Sequence, residues 1–122
     1  MTNIILTGCN GHMGRTITQI VKEDPDANIV AGIDIYNEVA NDYPVFSSFE
    51  ECDVDADVII DFSAPAVVDP MLDYVEKTGV PVVLCTTGLS PEQIERVKDV
   101  ATRHAVLKSA NMSVGKIGRA HV

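Results

Sequence analysis

Gly8, Gly11 and Gly14 follow an apolar run that ends at Thr7 and precede residues of helical periodicity; Cys9, Asn10, His12 and Met13 lie between them. A strand that turns through glycine into a helix lets the backbone approach a ligand closely. It also aims unpaired first-turn N–H groups and the positive end of the helix dipole at one point. A pyrophosphate fits both properties. The spacing is G-x-x-G-x-x-G, a variant of the dinucleotide fingerprint G-x-G-x-x-G, although a merely tight strand-to-helix turn would explain one or two of the glycines. Asp34 closes the next β-branched run twenty residues after Gly14, where a carboxylate reaches adenosine ribose hydroxyls. The plain alternative is a solvated acid at a strand end. Ile35, Tyr36 and Asn37 follow it, so no base offsets the repulsion between Asp34 and a 2′-phosphate, and NADH is expected over NADPH. His12 is either an aid to a phosphate or an exposed loop histidine.

Cys85-Thr86-Thr87-Gly88 and Ser109-Ala110-Asn111-Met112-Ser113 each follow a β-branched run. Small hydroxyl residues with a glycine suit a nicotinamide pocket, and equally suit a threonine-capped loop. Asp61-Phe62-Ser63 closes another run, with Phe62 either against a flat ring or in the core. Cys9, Cys52 and Cys85 are far apart with no pair at metal-ligand spacing; Cys85 has no histidine close by in sequence, and since small buried thiols are common neither it nor Cys9 is taken as a nucleophile. No catalytic residue and no metal site is expected in the chain.

The elements that would position these residues alternate. Runs at Asn3–Thr7, Asn28–Ile33, Val58–Asp61, Val80–Cys85 and Ala105–Lys108 are separated by helical segments, the βαβ pattern of a parallel sheet covered on both faces. Met13, Ile17, Ile20 and Val21 give the first helix an apolar stripe, and Pro25 stops it near Glu23. The second helix starts at Ala64-Pro65 or at Asp69-Pro70. The third opens on Ser90-Pro91-Glu92-Gln93, a capping box. Tyr36–Asp57 is expected as a long crossover with at most one short helix near Ser48–Cys52. Right-handed crossovers then predict an α/β, Rossmann-type doubly wound sheet of order 3-2-1-4-5, with the ligand crevice at the carboxyl ends of strands 1 and 4.

With 122 residues and 46% apolar content the chain is about one domain. Nine basic against eighteen acidic residues give a net charge of −9. Such a field repels nucleic-acid phosphates and anionic lipid, and no apolar run approaches the roughly 20 residues of a membrane span. Neither nucleic acid nor membrane is expected as a partner, and three cysteines, odd in number and far apart in sequence, suit the reducing cytoplasm.

Gly8-Cys9-Asn10-Gly11-His12-Met13-Gly14-Arg15, Asp61-Phe62-Ser63, Thr86-Thr87-Gly88 and Ser109-Ala110-Asn111-Met112-Ser113-Val114-Gly115 together resemble the N-terminal cofactor domain of the 4-hydroxy-tetrahydrodipicolinate reductase (dihydrodipicolinate reductase) family, from residue 3 to about 115. The resemblance implies a homotetrameric reductase of the diaminopimelate route to lysine, which transfers hydride from NADH or NADPH to a cyclic dicarboxylate. It also implies that Gly8 to Met13, in the cofactor-binding loop that ends at Gly14, hold the pyrophosphate and Asp34 the ribose. Cys85, Thr86 and Thr87, with Ser109, Ala110, Asn111 and Met112, would then line the nicotinamide side.

The family continues into a substrate domain with a His-His-x-x-Lys motif that this sequence lacks. Ile117-Gly118-Arg119-Ala120-His121-Val122 is what ATC-GGA-AGA-GCA-CAC-GTC encodes, one frame of a common sequencing adapter, and the preceding AG completes a lysine codon. Residues 1–115 are therefore expected to form the dinucleotide-binding domain, with the second domain absent and 116–122 a read-through tail. Such a fragment is expected to bind cofactor weakly, to turn nothing over and to aggregate. A non-catalytic NAD(H) sensor would share the glycine loop without needing the Thr86 and Asn111 segments. A sugar-nucleotide epimerase would need a lysine four residues after Tyr36, Tyr43 or Tyr74, and none is there.

Overall fold

The computed structural model describes residues 2–35 and 41–108. Ser109, Ala110, Asn111 and Met112, the tail 116–122, and Tyr36 and Asn37 lie outside them. Ile4, Ile5 and Leu6 are buried on alternating faces of β1 (Thr2–Thr7), as the central strand of a two-sided sheet requires. On one side β1 pairs in parallel with β2 (Ala27–Ile33), with Thr7 opposite Ile33; on the other it pairs with β4 (Val58–Asp61), with Thr7 opposite Asp61. The short β3 (Val45–Phe46) lies beyond β2, and β5 (Val82–Leu84) and β6 (Val106–Lys108) lie beyond β4. All pairings are parallel, in the order β3-β2-β1-β4-β5-β6.

The doubly wound order 3-2-1-4-5 holds with a sixth strand added, but Val45–Phe46 takes third place. It falls in the stretch expected as a plain crossover, and two residues are too few to show a period. A single turn, closed by the Cys52 N–H on the Phe49 carbonyl at 3.1 Å, stands where the short helix was expected. Val58–Asp61 therefore sits beside β1, and the Val80–Cys85 run, trimmed to β5, moves one place outward. The switch point lies between β1 and β4, which brings Phe62 and Ser63 against the glycine turn.

Helix α1 (His12–Lys22) covers one face of the sheet. Val21 and half-buried Ile17 pack with Ile4, Leu6 and Ile29, whereas Met13 and Ile20 are 46% and 58% exposed. The inward stripe is thus narrower than its spacing suggested. On the other face, α2 (Pro65–Thr78) and α3 (Pro91–Ala101) bury Val68, Met71, Leu72, Val75, Val97 and Val100 against Ile5, Ile59 and Leu84. Of the two starts open for α2, the structure takes Ala64-Pro65, so Pro70 lies inside the helix at the cost of one backbone hydrogen bond. Helix α3 has the expected capping box: Ser90 Oγ accepts the Gln93 N–H at 3.1 Å, and Gln93 Oε1 accepts the Ser90 N–H at 3.0 Å. Gln93 Nε2 also donates to the Pro65 carbonyl at 2.7 Å, which pins α3 to the first turn of α2. Ser90→Ala is expected to cost about 1 kcal/mol and Gln93→Ala more, measured as urea-unfolding midpoints.

Candidate functional site

The glycine turn is fixed from beneath by the sheet. The Gly8 N–H donates to the Ile33 carbonyl at 2.7 Å, and its φ of +78° belongs to the left-handed region. A Cβ on Gly8 would stand 2.4 Å from the Phe62 carbonyl oxygen, and one on Gly14 would stand 2.2 Å from the Gly8 carbonyl oxygen. Neither position admits a side chain without moving backbone. Gly11 differs, since a Cβ there would meet only the Gly8 carbonyl oxygen, at 3.4 Å. Gly11 is the N-cap of α1, whose first turn has no side-chain cap and no acidic residue. His12 and Met13 are exposed, and the uncapped donors with the positive dipole end make a place for an anion.

Cys9 and Asn10 are buried under the turn. Cys9 lies against Gly32, where a Cβ would approach its Sγ to 2.5 Å. Burial, with the charge of Asp34 adding to it, pushes the Cys9 thiol up to about 11. Tyr43, whose hydroxyl is 2.9 Å from Thr18 Oγ1, is pushed up to about 12, again chiefly by burial. Burial and a raised thiol suit Cys9 to packing. Asn10 links three segments: its N–H donates to Asp34 Oδ2 at 2.9 Å, and its Oδ1 accepts from Asn41 Nδ2 at 2.7 Å. The acid at the end of β2 is therefore bonded to the glycine turn itself.

Two features escaped the sequence. Ile35, noted there only as a non-base, is 83% exposed beside Asp34 and offers an apolar surface to a flat base. A cleft of about 720 Å³ runs from Asn10 and His12 along α1 past Arg15 to Lys22, with Asn41 and Asp42 opposite. Arg15 and Lys22 fall at helical spacing on its wall, a signal the sequence does carry. Lys22 is paired with Asp42 at 3.3 Å.

At the ends of β4 and β5, the Asp61 carboxylate is fully buried. Its Oδ1 accepts the Ser63 N–H at 3.1 Å and the Ser63 hydroxyl, and its Oδ2 accepts the Thr86 hydroxyl. Thr86 is buried with its hydroxyl turned to Asp61, while Thr87 and Gly88 are exposed and Cys85 is half-buried. Phe62 is half-buried and packs into the core under α1. The structure thus joins Gly8 to Gly14 with Asp34, and sets the β5 loop beside them through Phe62, Ser63 and Asp61.

A switch point with a glycine turn, an uncapped helix and an acid at the neighbouring strand end defines a Rossmann-type domain of the dinucleotide-binding kind. The sequence profile described as "Dihydrodipicolinate reductase, N-terminus" matches residues 2–112, and the chain belongs to that family. It is 46% identical over 115 residues to the 4-hydroxy-tetrahydrodipicolinate reductase of Clostridium novyi (strain NT), covering 94% of this chain and 46% of that protein. The enzyme of the same name from Clostridium tetani (strain Massachusetts / E88) is 41% identical, covering 94% and 45%. The chain spans about half the length of these curated relatives. The fold is shared with a dipicolinate-bound dihydrodipicolinate reductase from Paenisporosarcina sp. TG-14, at TM-score 0.69 and 23% identity, over 83% of this chain and 43% of that one. It is shared equally with a myo-inositol dehydrogenase from Corynebacterium glutamicum ATCC 13032, at 0.69 and 23%, over 88% and 36%. Among the described residues no helix is long and apolar enough to cross a membrane.

Gly14→Ala is expected to lose about 1–3 kcal/mol of stability through overpacking, and Gly11→Ala less than about 1 kcal/mol, by urea denaturation. The folded state holds protons on Cys9 and Tyr43 that the unfolded chain releases at lower pH. Their contribution to stability is full below pH 9.0 and is lost as pH rises through about 11 and 12. Urea midpoints should fall over that range, less steeply in Cys9→Ala; an equal slope in the variant would exclude Cys9 as a source.

Proposed function

We propose that this chain is the cofactor half of a 4-hydroxy-tetrahydrodipicolinate reductase, which binds NADH in preference to NADPH and presents it to a cyclic dicarboxylate held by a further domain of the parent enzyme. The observation that carries this is the 2.9 Å bond from Asn10 in the glycine turn to Asp34. It sets the ribose-binding acid and the anion-binding helix end in one rigid unit.

The uncapped first turn of α1, from Gly11 to Gly14, takes the pyrophosphate. Asp34 accepts the ribose hydroxyls and Ile35 lies along the adenine. Cys85 and Thr87, with Ser109, Ala110, Asn111 and Met112, line the nicotinamide side, chiefly through backbone. When bound, the reduced nicotinamide supplies a hydride, and the substrate's grip and its proton come from the further domain. NADH is favoured because Asp34 is held in place: like unit charges about 4 Å apart near a protein surface repel by about 4 kcal/mol. Lys22 already faces Asp42. The parent enzyme is a cytoplasmic homotetramer in this proposal.

In titrations of the chain followed by NADH fluorescence, NADH is expected to bind at least about tenfold more tightly than NADPH, with Asp34→Ser narrowing the gap. Equal affinities in the unaltered chain would refute the preference, and failure of both nucleotides to bind would refute the function. The chain alone is expected to show no reductase turnover.

A further inference from the structure

Asp61 is a buried acid that the proposed function leaves without a task. Burial raises its carboxyl above the ordinary carboxylate range, and the donors of Ser63 and Thr86 act in the opposite direction. Thr7, its register partner on β1, is also fully buried, yet its hydroxyl makes no hydrogen bond among the described residues. The carboxylate is therefore held by two loops, and not by the neighbouring strand's side chain. Ser63 belongs to the loop whose backbone closes over Gly8. Thr86 belongs to the loop after β5, and its hydroxyl also lies 3.1 Å from the Ser63 carbonyl oxygen. Two backbone bonds run beside this contact: the Phe62 N–H donates to the Thr7 carbonyl and the Cys85 N–H to the Asp61 carbonyl, each at 2.9 Å. Those bonds fix the strand ends, and beyond them Thr87 and Gly88 are exposed. The Thr86 hydroxyl is a side-chain tether at that point.

We infer that Asp61 is a positioning residue, which through Thr86 holds the Cys85–Gly88 loop as the nicotinamide-side wall of the crevice and through Ser63 ties that wall to the glycine turn. This rests on the proposed cofactor function and adds to it a division of labour. The glycine turn and Asp34 hold the ADP-ribose part without help from Asp61, whereas the nicotinamide end depends on the tether. A carboxylate suits the task because two oxygens accept donors from two loops at once, and burial strengthens each bond.

The test compares NADH with ADP-ribose, which lacks the nicotinamide, on the 122-residue chain. Thr86→Val keeps the shape of the side chain and removes the donor. It is expected to weaken NADH by about tenfold and ADP-ribose by less than about twofold, while Thr86→Ser restores the NADH affinity. Thr86→Ala, with the same split expected, takes its place if Thr86→Val does not unfold cooperatively. Equal losses for both ligands, no loss for either, or no rescue by serine would overturn the inference and leave Asp61 a purely structural acid. If the unaltered chain binds neither ligand, the cofactor function itself has failed. If it binds ADP-ribose and NADH equally, only the nicotinamide wall has failed.

Discussion

Everything at the crevice depends on one close approach, in which the glycine turn is wedged between the end of β4 and the start of α1. A Cβ on Gly8 would come within 2.4 Å of the Phe62 carbonyl oxygen, and one on Gly14 within 2.2 Å of the Gly8 carbonyl oxygen. With both absent, α1 can start directly over the carboxyl end of β1, and its first-turn donors are left pointing at the switch point. Moving the helix outward to admit a side chain would cost the contact of Val21 and Ile17 with Ile4 and Leu6. Core packing and anion geometry are therefore set by the same two positions. Gly11 is not demanded by the packing, since a Cβ there would meet only the Gly8 carbonyl oxygen at 3.4 Å.

The charged groups at the crevice are arranged around that wedge. Asp34 and Asp61 lie at the ends of β2 and β4, on either side of β1, and each accepts a backbone N–H from a loop: Asn10 for Asp34, Ser63 for Asp61. The half-buried acid is bonded to the glycine turn, and the fully buried one bonds two loops together. A net charge of −9 repels phosphates at long range, so in the proposed function their recognition falls to short-range donors such as those of the helix N-terminus.

The sequence revealed what strong local rules specify. The glycine turn, the acid twenty residues on, the capping box at Ser90 and the alternation of runs and helices each follow from spacing that a single mechanism demands. Less was legible where tertiary context decides. Val45–Phe46 becomes a strand only because Gly32 and Ile33 offer an open edge, and that moved the run at Val58–Asp61 next to β1. Met13 and Ile20 fit an apolar stripe by period yet lie exposed, since α1 meets the sheet along a narrower line. The bond of the Thr86 hydroxyl to Asp61 is not legible either, because no local pattern reveals the burial of that acid. The exposure of Ile35 is likewise a tertiary fact, since in the sequence it stands out only for the charge it lacks.

A crystal structure of the chain with NADH tests the central claim most directly. The account predicts the pyrophosphate within hydrogen-bond distance of the first-turn N–H groups of α1, the adenosine ribose hydroxyls on Asp34, and the base against Ile35. A dinucleotide seated elsewhere, or a pyrophosphate displaced from the helix end with Asp34 still bonded only to Asn10, would contradict it.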